Sequence, residues 1–240
     1  MLWACILLPQ LAMDGVLRHC SDPERPLVLL SGPAQRRVIQ AVNSSARSIG
    51  LRPGQSLTTA QALAVEFASA DYDQTEIEKW QQFLAAWAYG FSAQVSLHYP
   101  RCLLLEVQSS FGLFGPWPRF ETRLRDELTA LGFQHRITLA TNPAAARMLS
   151  NCRDGLAVVD DKSLQEALYP LPVERLGLSE KVATAFARMG LRNLQQLVAL
   201  PRSSLAKRFP AEVLLHCGFH DTWTLSPRSF GHSFHAHLDT

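Results

Sequence analysis

The stretch SAQVSLHYPRCLLLEV (residues 92–107) predicts two short strands joined by a turn. Its two apolar runs, Ser92–Leu97 and Cys102–Val107, have the length of strands, and Tyr99-Pro100-Arg101 between them is typical of a turn. The elements on either side of this hairpin then define the fold.

An amphipathic helix is predicted on each side of the hairpin. The first begins after Asp71, where early acidic residues suit the helix dipole, and the second covers Phe120–Leu131 and ends at Gly132. Further out, Leu2–Leu8 and Ile137–Ala140 are predicted strands. The resulting order of strands and helices predicts an α/β fold with a split βαβ, ferredoxin-like sheet.

The remaining segments are an insertion and a helical region. Between the first strand and the first helix, strands are predicted at Pro26–Leu30 and Val38–Val42, and helices from Asn43 or Ser44 to Gly50 and over Leu57–Ala68. A short helix over Pro143–Ser150 follows the last strand. After Tyr169 only short helices are predicted, over Ser179–Met189, over Leu194–Leu200, and from Ser203 or Ser204 to Pro210.

Composition excludes several classes of protein. The 240 residues are 47% hydrophobic and 18% charged, with a formal charge of +2, which argues against a disordered or wholly basic chain. The charge is uneven, because residues 170–210 contain seven basic and two acidic residues, giving +5 there and −3 elsewhere. We therefore expect a basic module attached to a slightly acidic body.

Nothing in the sequence predicts membrane insertion. The apolar run Leu2–Leu8 is too short to span a bilayer, and no basic residue precedes it as in a secretory signal. The five cysteines contain no Cys-x-x-Cys pair, so we expect them to be reduced. These observations predict a cytoplasmic protein with no membrane partner.

The basic module contains a candidate phosphate-binding hairpin. Leu176-Gly177-Leu178-Ser179-Glu180-Lys181 resembles the turn of a helix-hairpin-helix motif, in which backbone N–H groups face a nucleic-acid phosphate. Ser179 replaces the usual second glycine, so plain helix packing remains an alternative. The candidate DNA-binding residues are Gly177, Ser179, Lys181, Arg192, Lys207 and Arg208.

Three ordered segments resemble the Y-family translesion DNA polymerases. They are Ala46-Arg47-x-x-Gly50-Leu51-Arg52-x-Gly54, Leu103–Val107 and the hairpin at Gly177. Leu2-Trp3-x-Cys5-Ile6-x-x-Pro9 and Leu105-Glu106-Val107-x-x-Ser110 look most like the ImuB-type branch of that family. The resemblance implies a palm at 1–10 and 71–168, inserted fingers at 11–70, a small all-helical thumb at 169–225, and a tail at 226–240 truncated before the little-finger domain.

The same resemblance implies that the catalytic metal site is lost. Active members use carboxylates to hold two Mg²⁺ ions about 3.5–4 Å apart. Pro9 and Leu11 stand at the first-strand acidic positions, and Arg101 and Cys102 at the later acidic pair. We therefore expect no metal, no cofactor and no catalytic residue, with Arg47 and Arg52 as a remnant of the phosphate-binding site.

Two other sets of residues contain possible metal ligands. Asp14 and Glu106 would be the carboxylates of a displaced catalytic site, although Glu106 at a strand end is more typical of a hydrogen-bonded acid. The histidines and cysteine after Ala211 would suffice for zinc, but their spacing matches no standard site.

By resemblance, the chain is a non-catalytic adaptor that binds DNA without sequence preference in damage-induced mutagenesis and repair. Its implied partners are an error-prone replicative-type polymerase, a RecA-like companion and the sliding clamp. An active translesion polymerase and a degenerate DNA-binding fragment remain the alternatives.

Overall fold

The computed structural model describes residues 1–200. Lys207, Arg208, the helix predicted to end at Pro210, and the histidine-containing tail lie outside the described residues. Within residues 1–200, no helix is long and apolar enough to cross a bilayer.

The described residues form seven strands and ten α-helices. The strands are β1 (Trp3–Leu7), β2 (Leu27–Ser31), β3 (Val38–Val42), β4 (Ala68–Asp71), β5 (Val95–Ser96), β6 (Cys102–Glu106) and β7 (Arg136–Ala140). The helices are α1 (Leu11–Leu17), α2 (Ser44–Ser48), α3 (Leu57–Leu63), α4 (Gln74–Ala88), α5 (Phe111–Phe114), α6 (Trp117–Ala130), α7 (Pro143–Cys152), α8 (Asp161–Leu168), α9 (Glu180–Arg188) and α10 (Leu194–Val198).

The first sheet has the strand order β5-β6-β1-β7, and every neighbouring pair is antiparallel. Helix α4 connects β1 to β5, and these two strands lie on either side of β6. Helix α6 connects β6 to β7, and these two strands lie on either side of β1. This arrangement is two interleaved split βαβ units. The predicted α/β fold class is therefore confirmed.

The two faces of this sheet have different coverings because side chains alternate along each strand. Ile6, Leu103 and Leu105 point toward one face and share a core with the apolar stripes of α4 and α6. Cys5 and Cys102 point to the other face, where they share a core with α7 to α10. The hairpin at Gly177 leads into α9, which packs against this second face.

The second sheet has the order β3-β2-β4, with β2 antiparallel to β3 and parallel to β4. The prediction of one helix over Leu57–Ala68 was wrong at its second half. Helix α3 ends at Leu63, and Ala68–Asp71 pairs with β2 instead. Because the exposed edge of β2 offers backbone hydrogen bonds, pairing overrides the helix propensity of the alanines there.

Other predicted elements differ mainly at their ends. Helix α6 begins at Trp117, three residues before the predicted start, with a proline in its first turn. The first hairpin strand is only Val95–Ser96. Helices α1 and α8 were not predicted, and both are single short helices of two turns.

Candidate nucleic-acid interface

One end of the first sheet gathers the four positions predicted to have lost the catalytic carboxylates. Cys102 pairs with Leu7 at the end of β1. Just beyond this pair, the Leu8 N–H donates to the Arg101 carbonyl at 2.9 Å, and Arg101 Nη1 donates to the Pro9 carbonyl at 3.4 Å. Leu11 follows at the start of α1 and is fully buried.

The side chains at this end of the sheet do not fit a magnesium site. Mg²⁺ requires several oxygen ligands, and none of the four side chains carries an oxygen. Cys102 is fully buried, and burial raises the pKa of its thiol well above the ordinary value. Its Sγ lies 3.1 Å from Sγ of Cys5, which in turn donates to Ser150 Oγ at 3.3 Å. Sulfur and hydroxyl groups therefore fill the interior here.

Arg101 has an unusual backbone conformation in the turn before β6. Its φ of 54° is in the left-handed region, and it is the one residue other than glycine with positive φ among residues 1–200. This conformation costs roughly 1–2 kcal/mol for a side chain with a Cβ. The turn therefore holds a guanidinium where the family resemblance would place a carboxylate.

Asp14 and Glu106, the two possible ligands of a displaced metal site, are both buried. Asp14 is 4% exposed and accepts a hydrogen bond from the Gln134 N–H at 2.8 Å. Burial raises its pKa to about 6, although the Gln134 hydrogen bond acts in the opposite direction. The carboxylate is thus partnered with backbone.

Glu106 lies at the other end of the sheet. It pairs with Trp3, at the start of β1, and accepts hydrogen bonds from the N–H of Gln108 at 3.0 Å and from the Ser109 hydroxyl. It therefore closes the turn after β6 and does not meet Asp14. Within the described residues, no three His, Cys, Asp or Glu side chains are grouped so that they could hold a metal ion.

The predicted phosphate-binding remnant lies at the end of α2. Asn43 caps the start of this helix by accepting from the Ala46 N–H at 2.9 Å. At its other end, Arg52 Nη1 donates to the carbonyls of Arg47 and Leu51, so its guanidinium caps the helix. The Arg47 side chain is exposed. A phosphate contact by these two arginines stays a prediction.

The hairpin at Gly177 has the backbone geometry of a tight turn into a helix. Gly177 has a φ of 84°, which is why glycine is favoured there. Ser179 occupies the N-cap of α9, but its side chain makes no capping hydrogen bond. The first N–H groups of α9 have no partner within the helix, so they can donate to an external acceptor. Lys181, in the first turn of α9, and Arg192, beyond the carboxyl end of α9, are both exposed, while Lys207 and Arg208 lie outside the described residues.

Asn151 was not singled out in the sequence, although it joins the hairpin to the sheet. Its Nδ2 donates to the Arg175 carbonyl at 3.0 Å, and its own carbonyl accepts from Arg175 Nη1 at 3.3 Å. A Cβ added at Gly177 would lie 3.6 Å from the same Nδ2. Arg147, four residues earlier on α7, hydrogen-bonds its Oδ1. The four-residue spacing of Arg147 and Asn151 along one helix was the only sequence signal for the contact between these two side chains.

Comparison with known proteins assigns the family. The impB/mucB/samB family model matches residues 18–151, which is more than half of the chain. The chain belongs to this family. It is thereby a homologue of the Y-family polymerases, as the motif order predicted.

Two relatives illustrate how far the similarity extends. Protein ImuB of Caulobacter vibrioides (strain NA1000 / CB15N) is 30% identical over 167 residues, covering 70% of this chain and 36% of that protein. DNA polymerase IV of Desulfatibacillum aliphaticivorans is 23% identical over 186 residues, covering 76% of this chain and 47% of the polymerase. The chain therefore spans about a third to a half of these relatives.

Solved structures show the same fold. The insertion ternary complex of Dbh DNA polymerase superimposes with a TM-score of 0.72 at 15% identity, covering 91% of this chain and 67% of that one. DinB from Sulfolobus solfataricus gives a TM-score of 0.68 at 14% identity, with 90% and 65% coverage. At such identities the likeness concerns the fold alone.

Proposed function

We propose that this chain is a non-catalytic homologue of the translesion polymerases that acts as a DNA-binding adaptor in damage-induced mutagenesis. The observation that carries the proposal is the sheet end at Pro9, Leu11, Arg101 and Cys102, whose side chains offer no oxygen ligand and add a positive charge. A two-metal reaction needs carboxylates at such a place. The family fold is thus retained without the groups that the chemistry requires.

The DNA-binding part of the proposal is supported by the hairpin at Gly177. Exposed Lys181 and Arg192 and the amino-terminal N–H groups of α9 are suited to phosphate oxygens. Contacts of this kind do not read sequence, which suits a protein that must act wherever damage occurs. The charge of +5 between residues 170 and 210 favours the same partner.

The adaptor part of the proposal comes from the family resemblance. In this proposal, the chain brings an error-prone replicative-type polymerase, a RecA-like companion and the sliding clamp to damaged DNA. Affinity capture from cells treated with a DNA-damaging agent tests it, using the chain with and without the region after Tyr169. Recovery of a replicative-type polymerase with the full chain supports the proposal, whereas recovery of none of the three partners contradicts it.

Primer extension tests the lack of catalysis. The chain is incubated with primer–template DNA, damaged or undamaged, with Mg²⁺ or Mn²⁺, and a polymerase IV serves as the positive control. Loss of the metal site removes several kcal/mol of transition-state stabilisation at about 1.4 kcal/mol per tenfold in rate, so we expect incorporation at least about 10³-fold slower than the control. Incorporation comparable to the control would contradict the proposal.

That contradicting result would favour the second candidate, an active translesion polymerase. The similarity to DNA polymerase IV of Desulfatibacillum aliphaticivorans is the observation in its favour. The same assay therefore separates the two functions.

A salt titration tests DNA binding by the hairpin. Binding of labelled duplex is measured by fluorescence anisotropy for wild type, for Lys181→Ala with Arg192→Ala, and for the control Lys79→Ala on α4. The logarithm of the DNA-binding constant falls linearly with the logarithm of the salt concentration, and each lost phosphate contact makes this slope shallower by about 0.9. We expect the double variant to lose about 1.8 from the slope and the control to lose nothing. Wild-type binding that does not weaken with salt would contradict DNA binding by charge.

A further inference from the structure

Four arginines surround the carboxyl end of α7, on the face of the first sheet that α7 to α10 cover. Arg136 begins β7, Arg147 lies on α7, Arg153 follows it directly, and Arg175 belongs to the short 3₁₀ turn before the hairpin. Nη1 of Arg136 and Nη1 of Arg175 each donate to the Asn151 carbonyl at 3.3 Å. Two guanidinium groups thus share one backbone carbonyl at the end of α7.

Among residues 1–200, none of the four arginines of this cluster forms an ion pair with a carboxylate. The neighbouring carboxylate Asp154 is already engaged by Arg125 at 2.7 Å and by the Ile137 N–H at 2.8 Å. A helix carboxyl end favours a cation by about 0.3–1 kcal/mol, but further cations repel one another. Such a cluster is stabilised when an anion lies between its members.

Cys152 shows how compact the cluster is. Burial raises the pKa of this thiol, while the charges of Arg175, Arg136 and Arg153 all act on it in the opposite direction. The positive charges of three arginines therefore act on the same thiol, which lies between Asn151 and Arg153 in the chain. Arg153 and Arg175 are exposed, and Arg136 is partly exposed, so an external anion has access.

The cluster is continuous with the hairpin through Asn151. This side chain bonds the Arg175 backbone and adjoins Gly177, whose turn leads into the free N–H groups at the start of α9. A strand of nucleic acid presents phosphates in a row, so two neighbouring phosphate-binding groups can engage the same strand. Guanidinium groups suit this role because their planar fork matches two phosphate oxygens.

We propose that Arg136, Arg153 and Arg175 form a second phosphate-binding site, next to the Gly177 hairpin, for a further phosphate of the same DNA strand. This inference rests on the proposed DNA-binding function and extends it from the helical region onto the sheet. Arg147 acts as a positioning residue through its hydrogen bond to Asn151.

The test compares charge-neutral variants in the salt titration. Arg153→Gln is the first variant, because the Arg153 side chain makes no hydrogen bond to another of residues 1–200, and Arg153→Gln with Arg175→Gln is the second. Arg119→Gln, exposed on α6 across the sheet, is the matched control. We expect the slope to fall by about 0.9 for the single and about 1.8 for the double variant, with no change in the control. Circular dichroism melts verify that each variant is folded.

The outcomes separate this inference from the proposed function. If both cluster variants keep the wild-type slope while Lys181→Ala lowers it, the arginine cluster does not bind DNA, but the hairpin does. If wild type itself binds no DNA, the proposed function fails and the inference with it.

Alkylation of Cys152 by iodoacetamide, followed by peptide mass spectrometry, identifies the source of the phosphate. We expect duplex DNA to slow alkylation several-fold in wild type but not in the double variant. Inorganic phosphate or a deoxynucleoside triphosphate, at the same phosphate concentration, should protect far less. Equal protection by these small anions would overturn the assignment to the DNA backbone.

Discussion

Replacing Asp14 by asparagine should make the protein more stable at neutral pH. Burial raises the pKa of Asp14 from the ordinary 3.8 to about 6, so the folded state disfavours the charged carboxylate. At about 1.4 kcal/mol per pKa unit, the charged form lowers the free energy of unfolding by up to about 3 kcal/mol. Asparagine keeps an oxygen for the Gln134 N–H, but its buried amide nitrogen costs about 1–2 kcal/mol. We expect a net gain of about 1–2 kcal/mol.

The gain from Asp14→Asn should depend on pH in a defined direction. Below 3.8 the carboxyl is protonated in both states and carries no penalty. Between 3.8 and about 6 the folded state binds more protons, so wild-type stability falls as the pH rises. Above about 6 the penalty is complete, and only there should the full advantage of the variant appear.

Urea unfolding followed by tryptophan fluorescence, at about pH 4 and about pH 7.5, measures this difference. The reasoning is refuted if Asp14→Asn is less stable than wild type at the higher pH, or if the difference is the same at both. Millimolar Mg²⁺ should stabilise neither protein. Stabilisation of wild type alone would restore Asp14 as a metal ligand.

Three further substitutions test the packing described above. Gly15→Ala should destabilise by about 1–3 kcal/mol in thermal melts, because its Cβ would lie 2.5 Å from Nε1 of Trp80; unchanged stability would show that the indole moves freely. Gly177→Ala should cost about 1–2 kcal/mol from its φ of 84° and weaken duplex binding in anisotropy, and wild-type values of both would exclude a role for this turn. Arg125→Gln should lose about 1 kcal/mol in urea unfolding near neutral pH. Burial raises the pKa of Asp154, but the Arg125 ion pair together with the N–H groups of Ile137 and Gly155 outweighs burial and lowers it. The loss should vanish as the pH falls and Asp154 is protonated, whereas a loss that persists in acid would contradict the ion-pair account.

Much of the fold could be predicted because its signals are local. The hairpin, the periodic helices and the caps at Asn43 and Asn193 each depend on neighbours in the chain. Strand β4 could not be predicted, because Ala68–Asp71 is defined by an edge more than thirty residues away. Local alanine propensity there favours a helix, and only the tertiary pairing decides otherwise.

The candidate site was predictable only in part. Residue types alone indicate that the side chains of Pro9 and Arg101 cannot hold Mg²⁺, whereas only the family resemblance predicted that they stand at the catalytic positions. The structure brings the two residues together at one end of the sheet. The arginine cluster was not predictable, because Arg136 and Arg175 come together only through the end of α7. Side-chain contacts between distant segments leave no periodic pattern in the sequence.

The central position of β1 has a consequence for how the chain folds as it is synthesised. Trp3–Leu7 is synthesised before both of its neighbours, β6 and β7, the last of which ends at Ala140. The second sheet, between Leu27 and Asp71, is complete much earlier. A nascent chain therefore carries an unpaired apolar segment until Ala140 has been synthesised, and such segments are prone to aggregate. Nascent chains stalled before Ala140 should accordingly depend on chaperones, whereas longer ones can enclose the first strand.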